Sequence, residues 1–427
     1  MPLHRSFLPL FLCALLSSAP LHAQTPAPTH ALFDSEIRRI VGEAEIPGAA
    51  YAIVVDGQVE TASGIGVRAA GGSEPVGPDT VFRIASVSKT FAAQLAAMLV
   101  EEGRLDWQRP LPAFAPELRL KDDAQARIQL QHVIGQSSGL LPNAFDNLLD
   151  ANQPLAQILP HFRTLAPGCP PGQCYGYQNI LYGLSVNAIE QAGGRDYASL
   201  LGERVFTPLG MRHASVGMAA FLAEADSAQP HVKRAGQWRR VEVEASYYQL
   251  PAAAGVNASA NDLAIWLIAQ MGGHPDVVRP ATVAQLTTPR VATAKDLRRS
   301  YWKDQLSAAH YGLGWRIYRV GDEPIILHAG WVKGYVAEIS YSPRLRTGLV
   351  VLLNAESSAL SEIGSQFWRR ELAAFPAPGA VPAVARTEPA KPVDASSRAT
   401  KQAAIKATPK RAAAKAGAGT ARARVGR

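Results

Sequence analysis

Cysteine is scarce in this chain, at three among 427 residues, so its stability must come from apolar burial, for which the 47% apolar content is ample. No histidine pair stands at ligand spacing near Cys169 and Cys174, which argues against a zinc centre, and no metal or other cofactor is expected. After the first residues no segment approaches about 18 uninterrupted apolar residues, so no membrane span is expected in the mature chain. Acidic residues nearly vanish from residues 376 to 427, where eleven Lys or Arg face only Glu388 and Asp394. That segment carries +9, which leaves −1 for the rest of a chain whose net charge is +8.

What is present divides the chain in three. Residues 1 to 23 have the form of a secretory signal: His4 and Arg5, an apolar run from Phe7 to Leu16, then small residues up to Ala23. Cys13 follows Leu12 inside that run, not a small residue, so no lipid anchor is read. The expected address is periplasmic or secreted, and nucleic acid is not an expected partner. Residues 24 to 375 hold the apolar periodicity of a folded domain. Residues 376 to 427, rich in Ala, Lys and Pro, are expected to form a disordered basic tail, either a solubilising tether or a segment attracted to anionic envelope polymers. Cys169 and Cys174 are expected to pair in an oxidising compartment, with two unlinked thiols as the alternative; so short a loop would contribute only about 2 kcal/mol.

The chemistry is concentrated in three short stretches. Ser86 and Lys89, in F-R-I-A-S-V-S-K-T-F, stand three residues apart at the start of a stretch with helical apolar spacing (Phe91, Leu95, Met98, Leu99), so hydroxyl and amine share one helix face near an N-terminus that favours developing negative charge. Tyr177-Gln178-Asn179 follows a loop, and His328-Ala329-Gly330 follows the apolar Ile325-Ile326-Leu327. Together these resemble the active-site serine family of class C β-lactamases, DD-carboxypeptidases and related esterases. The resemblance runs from about Phe33 to Phe375 and includes E-I-P-G-A-A-Y-A-I-V-V-D-G at 45 to 57, S-S-G-L-L-P at 137 to 142, T-P-L-G-M at 207 to 211 and Y-G-L-G-W at 311 to 315.

From the pattern itself, a helix is expected at Phe33 to Val41, a hairpin at Tyr51 to Val55 and Val59 to Gly64, and strands at Ile325 to Ala329, Val336 to Ser342 and Thr347 to Leu353, before a last helix near Ala359 to Ala374. This gives an α+β fold with a five-stranded antiparallel sheet built from both chain ends, covered by helices, and a mostly helical inserted region; the resemblance implies the same. Ser259-Ala260-Asn261 could be mistaken for a catalytic S-x-N, but Ser259 with Asp262 reads as a cap for the helix that follows.

The resemblance implies that Ser86 is the nucleophile of an acyl-enzyme, acting on a β-lactam, a D-Ala-type peptide or an ester. Lys89 and Tyr177 are read as a coupled pair in which the ammonium favours a phenolate, with either residue able to serve as the acylation base and Tyr177 as proton shuttle. Asn179 is expected to donate to a substrate carbonyl, Gly330 to allow close approach, and the N–H of Trp331 to complete an oxyanion hole with that of Ser86. His328 stands where class C enzymes carry lysine, and is expected to bind an anionic substrate group when charged. Ala329 removes a threonine hydroxyl, and Lys333 is a candidate replacement cation. The rival reading is a penicillin-binding or scaffold protein without turnover.

Overall fold

The structure is a computed structural model that describes residues 29–375. The signal segment (1 to 23) and the basic tail (376 to 427) lie outside the described residues.

Eight strands form the main sheet: β1 (Gly48–Val55), β2 (Gln58–Gly66), β3 (Val291–Ala292), β4 (Leu306–Tyr311), β5 (Arg316–Val320), β6 (Glu323–Val332), β7 (Tyr335–Ser342) and β8 (Thr347–Leu353). Their order across the sheet is β2-β1-β8-β7-β6-β5-β4-β3, every pair antiparallel. The N-terminal hairpin therefore pairs with the C-terminal β8, Ala50 opposite Leu352 and Ala52 opposite Val350. The five expected strands are all there. The expected total is corrected to eight by β3, β4 and β5, whose sequences V-A, L-S-A-A-H-Y and R-I-Y-R-V lack the sustained β-branched pattern that marks a strand locally.

Both faces of the sheet are covered, which is why its central strands read as continuous apolar runs. Along β1, Ala50, Ala52 and Val54 enter one core while Ala49, Tyr51 and Ile53 enter the other, the two-residue alternation of a pleated strand. The second core is closed by helix α1 (Thr29–Glu43) and helix α3 (Ala359–Ala374), through Phe33, Ile37, Phe367 and Trp368. The first lies under the helical region between β2 and β3, whose central element is α2 (Ser88–Glu101). Phe91 of α2 stacks on Trp266 at 4.3 Å between centroids, and the Trp266 indole N–H donates to Thr90 Oγ1 at 3.1 Å, fixing α2 against the helix Ala260–Gln270. That second helix opens as expected: Ser259 and Asp262 form a reciprocal capping box, with Ser259 Oγ accepting from the Asp262 N–H at 3.1 Å and Asp262 Oδ2 accepting from the Ser259 N–H at 3.0 Å.

Candidate active site

Ser86 lies in a single 3₁₀ turn, Ala85–Val87, that leads directly into α2. The turn is entered through Ala85 at φ +50°, a left-handed conformation that costs a non-glycine residue of order 1 kcal/mol. This kink lifts the Ser86 hydroxyl out of the helix barrel. Behind it the helix is held by Ser88 Oγ, which accepts from the Val256 N–H at 3.0 Å, and by the Tyr182 hydroxyl, which donates to the Lys89 carbonyl at 2.8 Å.

Lys89 has no solvent exposure, and its Nζ lies 3.1 Å from Ser86 Oγ, 2.8 Å from Asn179 Oδ1 and 3.0 Å from the Ala253 carbonyl oxygen. Burial pulls the Lys89 amine well below its ordinary value; the Asp146 carboxylate opposes that shift and the nearby Arg316 adds to it. As an ammonium Lys89 donates to all three oxygens; as the neutral amine that burial favours, it can donate to Asn179 Oδ1 and the Ala253 carbonyl and keep its lone pair for the Ser86 hydroxyl.

The Tyr177 loop is stitched to the segment that precedes it by backbone hydrogen bonds: Gly168 N–H to Gly139, Gly172 N–H to Ser137, Gly176 N–H to Gln136 and Asn143 N–H to Tyr177. The Cys169–Cys174 disulfide closes the loop, with 6.4 Å between Cα atoms. Burial pushes the Tyr177 phenol well above its ordinary value, and the Ser86 hydrogen bond and the Arg316 charge only partly offset this. Burial therefore opposes both the expected lysine ammonium and the expected tyrosine phenolate, shifting each group toward its neutral form because both are removed from water. Asn179, 8% exposed, is held at both ends, its Nδ2 donating to Asp146 Oδ2 at 2.8 Å.

The third stretch lies on β6. Pairing with β5 runs from Glu323 to Leu327 and stops, while pairing with β7 continues to Val332, so residues 328 to 332 have one open edge. Gly330 faces the Ser86 turn so closely that a Cβ there would lie 2.8 Å from the Ser86 backbone nitrogen and 2.4 Å from the Ile84 carbonyl oxygen. Only glycine fits. Trp331, 53% exposed, points to the other face and lines the cavity.

His328 is corrected by its surroundings. It is fully buried, its Nε2 lies 3.1 Å from the Tyr311 hydroxyl and its Nδ1 3.0 Å from the Ala329 carbonyl, and burial together with the charge of Arg316 holds the imidazole well below its ordinary value. A charged clamp at His328 does not fit that setting. Lys333 is engaged by Glu244 and does not line the cavity. The cations that line it are Arg316 and Arg299, neither singled out from the sequence. Arg316 pairs with Asp296 and sits 5.6 Å from the Tyr177 ring centroid, while Arg299 donates to the Tyr318 hydroxyl at 2.9 Å. The one sequence signal for Arg316 was its place next to Trp315, at the end of Y-G-L-G-W, within a strand too short to be recognised.

Ser86, Tyr177, Asn179, Gly330, Trp331 and the two arginines thus surround one cavity of about 560 Å³, with Lys89 beneath it. A serine hydroxyl at a kinked helix start, a buried amine against it and a phenol beside it, placed between a sheet edge and a helical layer, form an arrangement whose chemistry suits acyl transfer through a serine. Residues 33–374 match the family described as Beta-lactamase, and the chain belongs to that family. It is 26% identical over 354 residues to penicillin-binding protein 4 of Amycolatopsis lactamdurans, covering 80% of this chain and 89% of that one. To a β-lactamase of Pseudomonas fluorescens it is 24% identical, over 75% of this chain and 92% of that protein. To the unguisins hydrolase ungD of Aspergillus violaceofuscus it is 25% identical over 80% of its length, but it spans only 63% of that relative. Among solved structures, the octameric penicillin-binding protein homologue from Pyrococcus abyssi has the same fold, with a TM-score of 0.70 at 24% identity, over 80% of this chain and 77% of that one.

Proposed function

We propose that this protein is a serine hydrolase that cleaves a β-lactam, a D-Ala-type peptide or a related ester through an acyl-Ser86 intermediate. The observation that carries this reading is the fully buried Lys89 side chain, whose Nζ lies 3.1 Å from Ser86 Oγ between the oxygens of Asn179 and Ala253, so that as a neutral amine it can take the Ser86 proton. Lys89 takes the Ser86 proton as Oγ attacks the carbonyl carbon. The oxyanion is received by the N–H groups of Ser86 and Trp331 on the two sides of Gly330. Tyr177, a neutral phenol beside Ser86, gives its proton to the leaving nitrogen or oxygen and recovers one from Lys89. Water then releases the acyl group by the reverse proton path. Asn179 supports substrate through the second hydrogen on Nδ2, the first being held by Asp146.

Secretion to the periplasm or beyond is part of this proposal, supported by the signal-like residues 1 to 23 and by the disulfide, which oxidising compartments favour. The basic residues 376 to 427 are proposed to tether the enzyme or attract it to anionic envelope polymer.

Intact-mass spectrometry after exposure to penicillin and to a D-Ala-D-Ala peptide, with turnover followed in parallel, tests the reading. A Ser86 adduct that turns over supports it. A lasting adduct without turnover makes the protein a penicillin-binding protein, and no adduct with either compound or with a nitrophenyl ester removes the acyl-serine assignment.

The substrate anion is assigned to Arg316 and Arg299. Arg316→Gln is expected to lower kcat/KM for carboxylated substrates by about 10- to 100-fold, the range of a lost charge-assisted pair, with a much smaller effect on neutral esters. Because burial holds His328 well below its ordinary value, the ratio of the two substrate classes should not change over pH 6 to 8. A ratio that falls with rising pH and is flattened by His328→Lys would return the anion site to His328.

A further inference from the structure

Asp146 was not among the residues singled out from the sequence, and it belongs to a different element from every one of them. It begins the short helix Asp146–Asp150, entered through Phe145 at φ +63°. Its side chain is buried, 8% exposed, yet the carboxylate makes a single protein hydrogen bond: Oδ2 accepts from Asn179 Nδ2 at 2.8 Å, while Oδ1 has no partner among the described residues. A buried carboxylate with one partner is costly and is a poor device for stability. Its location gives it another use.

We propose that Asp146 is a positioning residue for acylation, fixing the side-chain amide of Asn179 so that its carbonyl, not its amino group, faces Lys89. A carboxylate only accepts, so it selects the orientation of Asn179 in which Nδ2 points to Asp146 and Oδ1 to Lys89. In that orientation a neutral Lys89 can donate to Asn179 Oδ1 and to the Ala253 carbonyl and keep its lone pair for Ser86 Oγ, 3.1 Å away. Were the amide turned over, an N–H would face Lys89, claim the lone pair and turn it from Ser86. The chain Asp146, Asn179, Lys89, Ser86 has links of 2.8, 2.8 and 3.1 Å. The proposal rests on the reading of Lys89 as the base.

The groups that face Lys89 are Ser86, Tyr177, Tyr182, Asn179, Arg316, His328 and Asp146. Those that face Asp146 are Asn179, Lys89, Asp150, Tyr177 and Tyr247. Of these, Asp146 is the acid whose negative charge keeps the Lys89 ammonium from being lost still more readily.

The experiment measures Ser86 labelling by a fluorophosphonate and turnover of p-nitrophenyl acetate, across pH, in five forms of the full chain: unaltered, Asp146→Leu, Asn179→Ala, these two combined, and Asp146→Asn. Asp146→Leu is expected to slow both by about 10- to 100-fold, the loss typical of a group that orients another. In an Asn179→Ala background the same change should cost less than about twofold, since Asp146 acts only through that amide. Asp146→Asn, which fits the same space and can still present an oxygen to Asn179, should retain most of the rate, with the acid limb of the profile moved to lower pH because the negative charge is gone. Equal losses from Asp146→Leu with and without Asn179, or an acid limb unmoved in Asp146→Asn, overturn the positioning role. If the unaltered protein is not labelled at Ser86 at all, the serine-hydrolase reading falls and the relay with it, so the two failures are told apart.

Discussion

Ser86→Ala is expected to eliminate covalent adduct formation and to reduce turnover of any amide or ester substrate by about 10⁴- to 10⁶-fold, the scale on which nucleophile deletions act in serine hydrolases. The substitution removes one oxygen from a partly exposed turn. The turn is held by backbone and by Ser88, not by the Ser86 hydroxyl. Thermal stability should change by only about 1 kcal/mol, the scale of the hydrogen bonding that the Ser86 hydroxyl shares with Lys89 and Tyr177. Intact mass after exposure to penicillin, paired with a melting curve, separates loss of chemistry from loss of fold. An adduct that persists in a folded Ser86→Ala protein would place the nucleophile elsewhere and dissolve the argument built on Lys89.

Residue identity and order carried much of this site, because each chemical residue is close in sequence to the structural cue that positions it. Ser86 and Lys89 share one turn; Tyr177 and Asn179 are two residues apart; Gly330 lies on a strand with an apolar approach. The structure brings these five around one volume or directly beneath it. What could not be read was anything decided by distant chain. Arg316 reaches the cavity from a five-residue strand that exists because β4 and β6 pair with it. Asp146 acquires its role only when Asn179 arrives from another loop. His328 looked like a partly charged imidazole in solution, and becomes a buried neutral one because Tyr311 on β4 and the charge of Arg316 on β5 close over it. The same holds for Lys89 and Tyr177, whose protonation follows from burial, a property of packing and not of spacing. Three strands were missed for a related reason: β3, β4 and β5 lie toward one end of the sheet and draw their order from pairing more than from propensity.

Replacing the base and the acid separately should give two distinguishable losses. Lys89→Met keeps the length and bulk of the side chain in a fully buried site but removes the amine, so acylation is expected to fall by about 10²- to 10⁴-fold. The pH profile carries the sharper information. In the unaltered enzyme the active form of Lys89 is the neutral amine, and burial has lowered its pKa, so kcat/KM is present above that lowered value and is lost as pH falls through it. Lys89→Met should lack this acid limb. Tyr177→Phe should also lose about 10²- to 10⁴-fold, by removing the proton donor to the leaving group, yet it should keep the limb because Lys89 is still there. The Tyr177 effect should shrink with a good leaving group such as nitrophenolate, which needs little protonation, while the Lys89 effect should not, since attack by Ser86 precedes departure. If the limb disappears in Tyr177→Phe and survives in Lys89→Met, the two roles are exchanged and the phenolate reading returns. That outcome would require a charge strong enough to overcome the burial of Tyr177, and with Lys89 replaced the candidate is Arg316, 5.6 Å from its ring centroid.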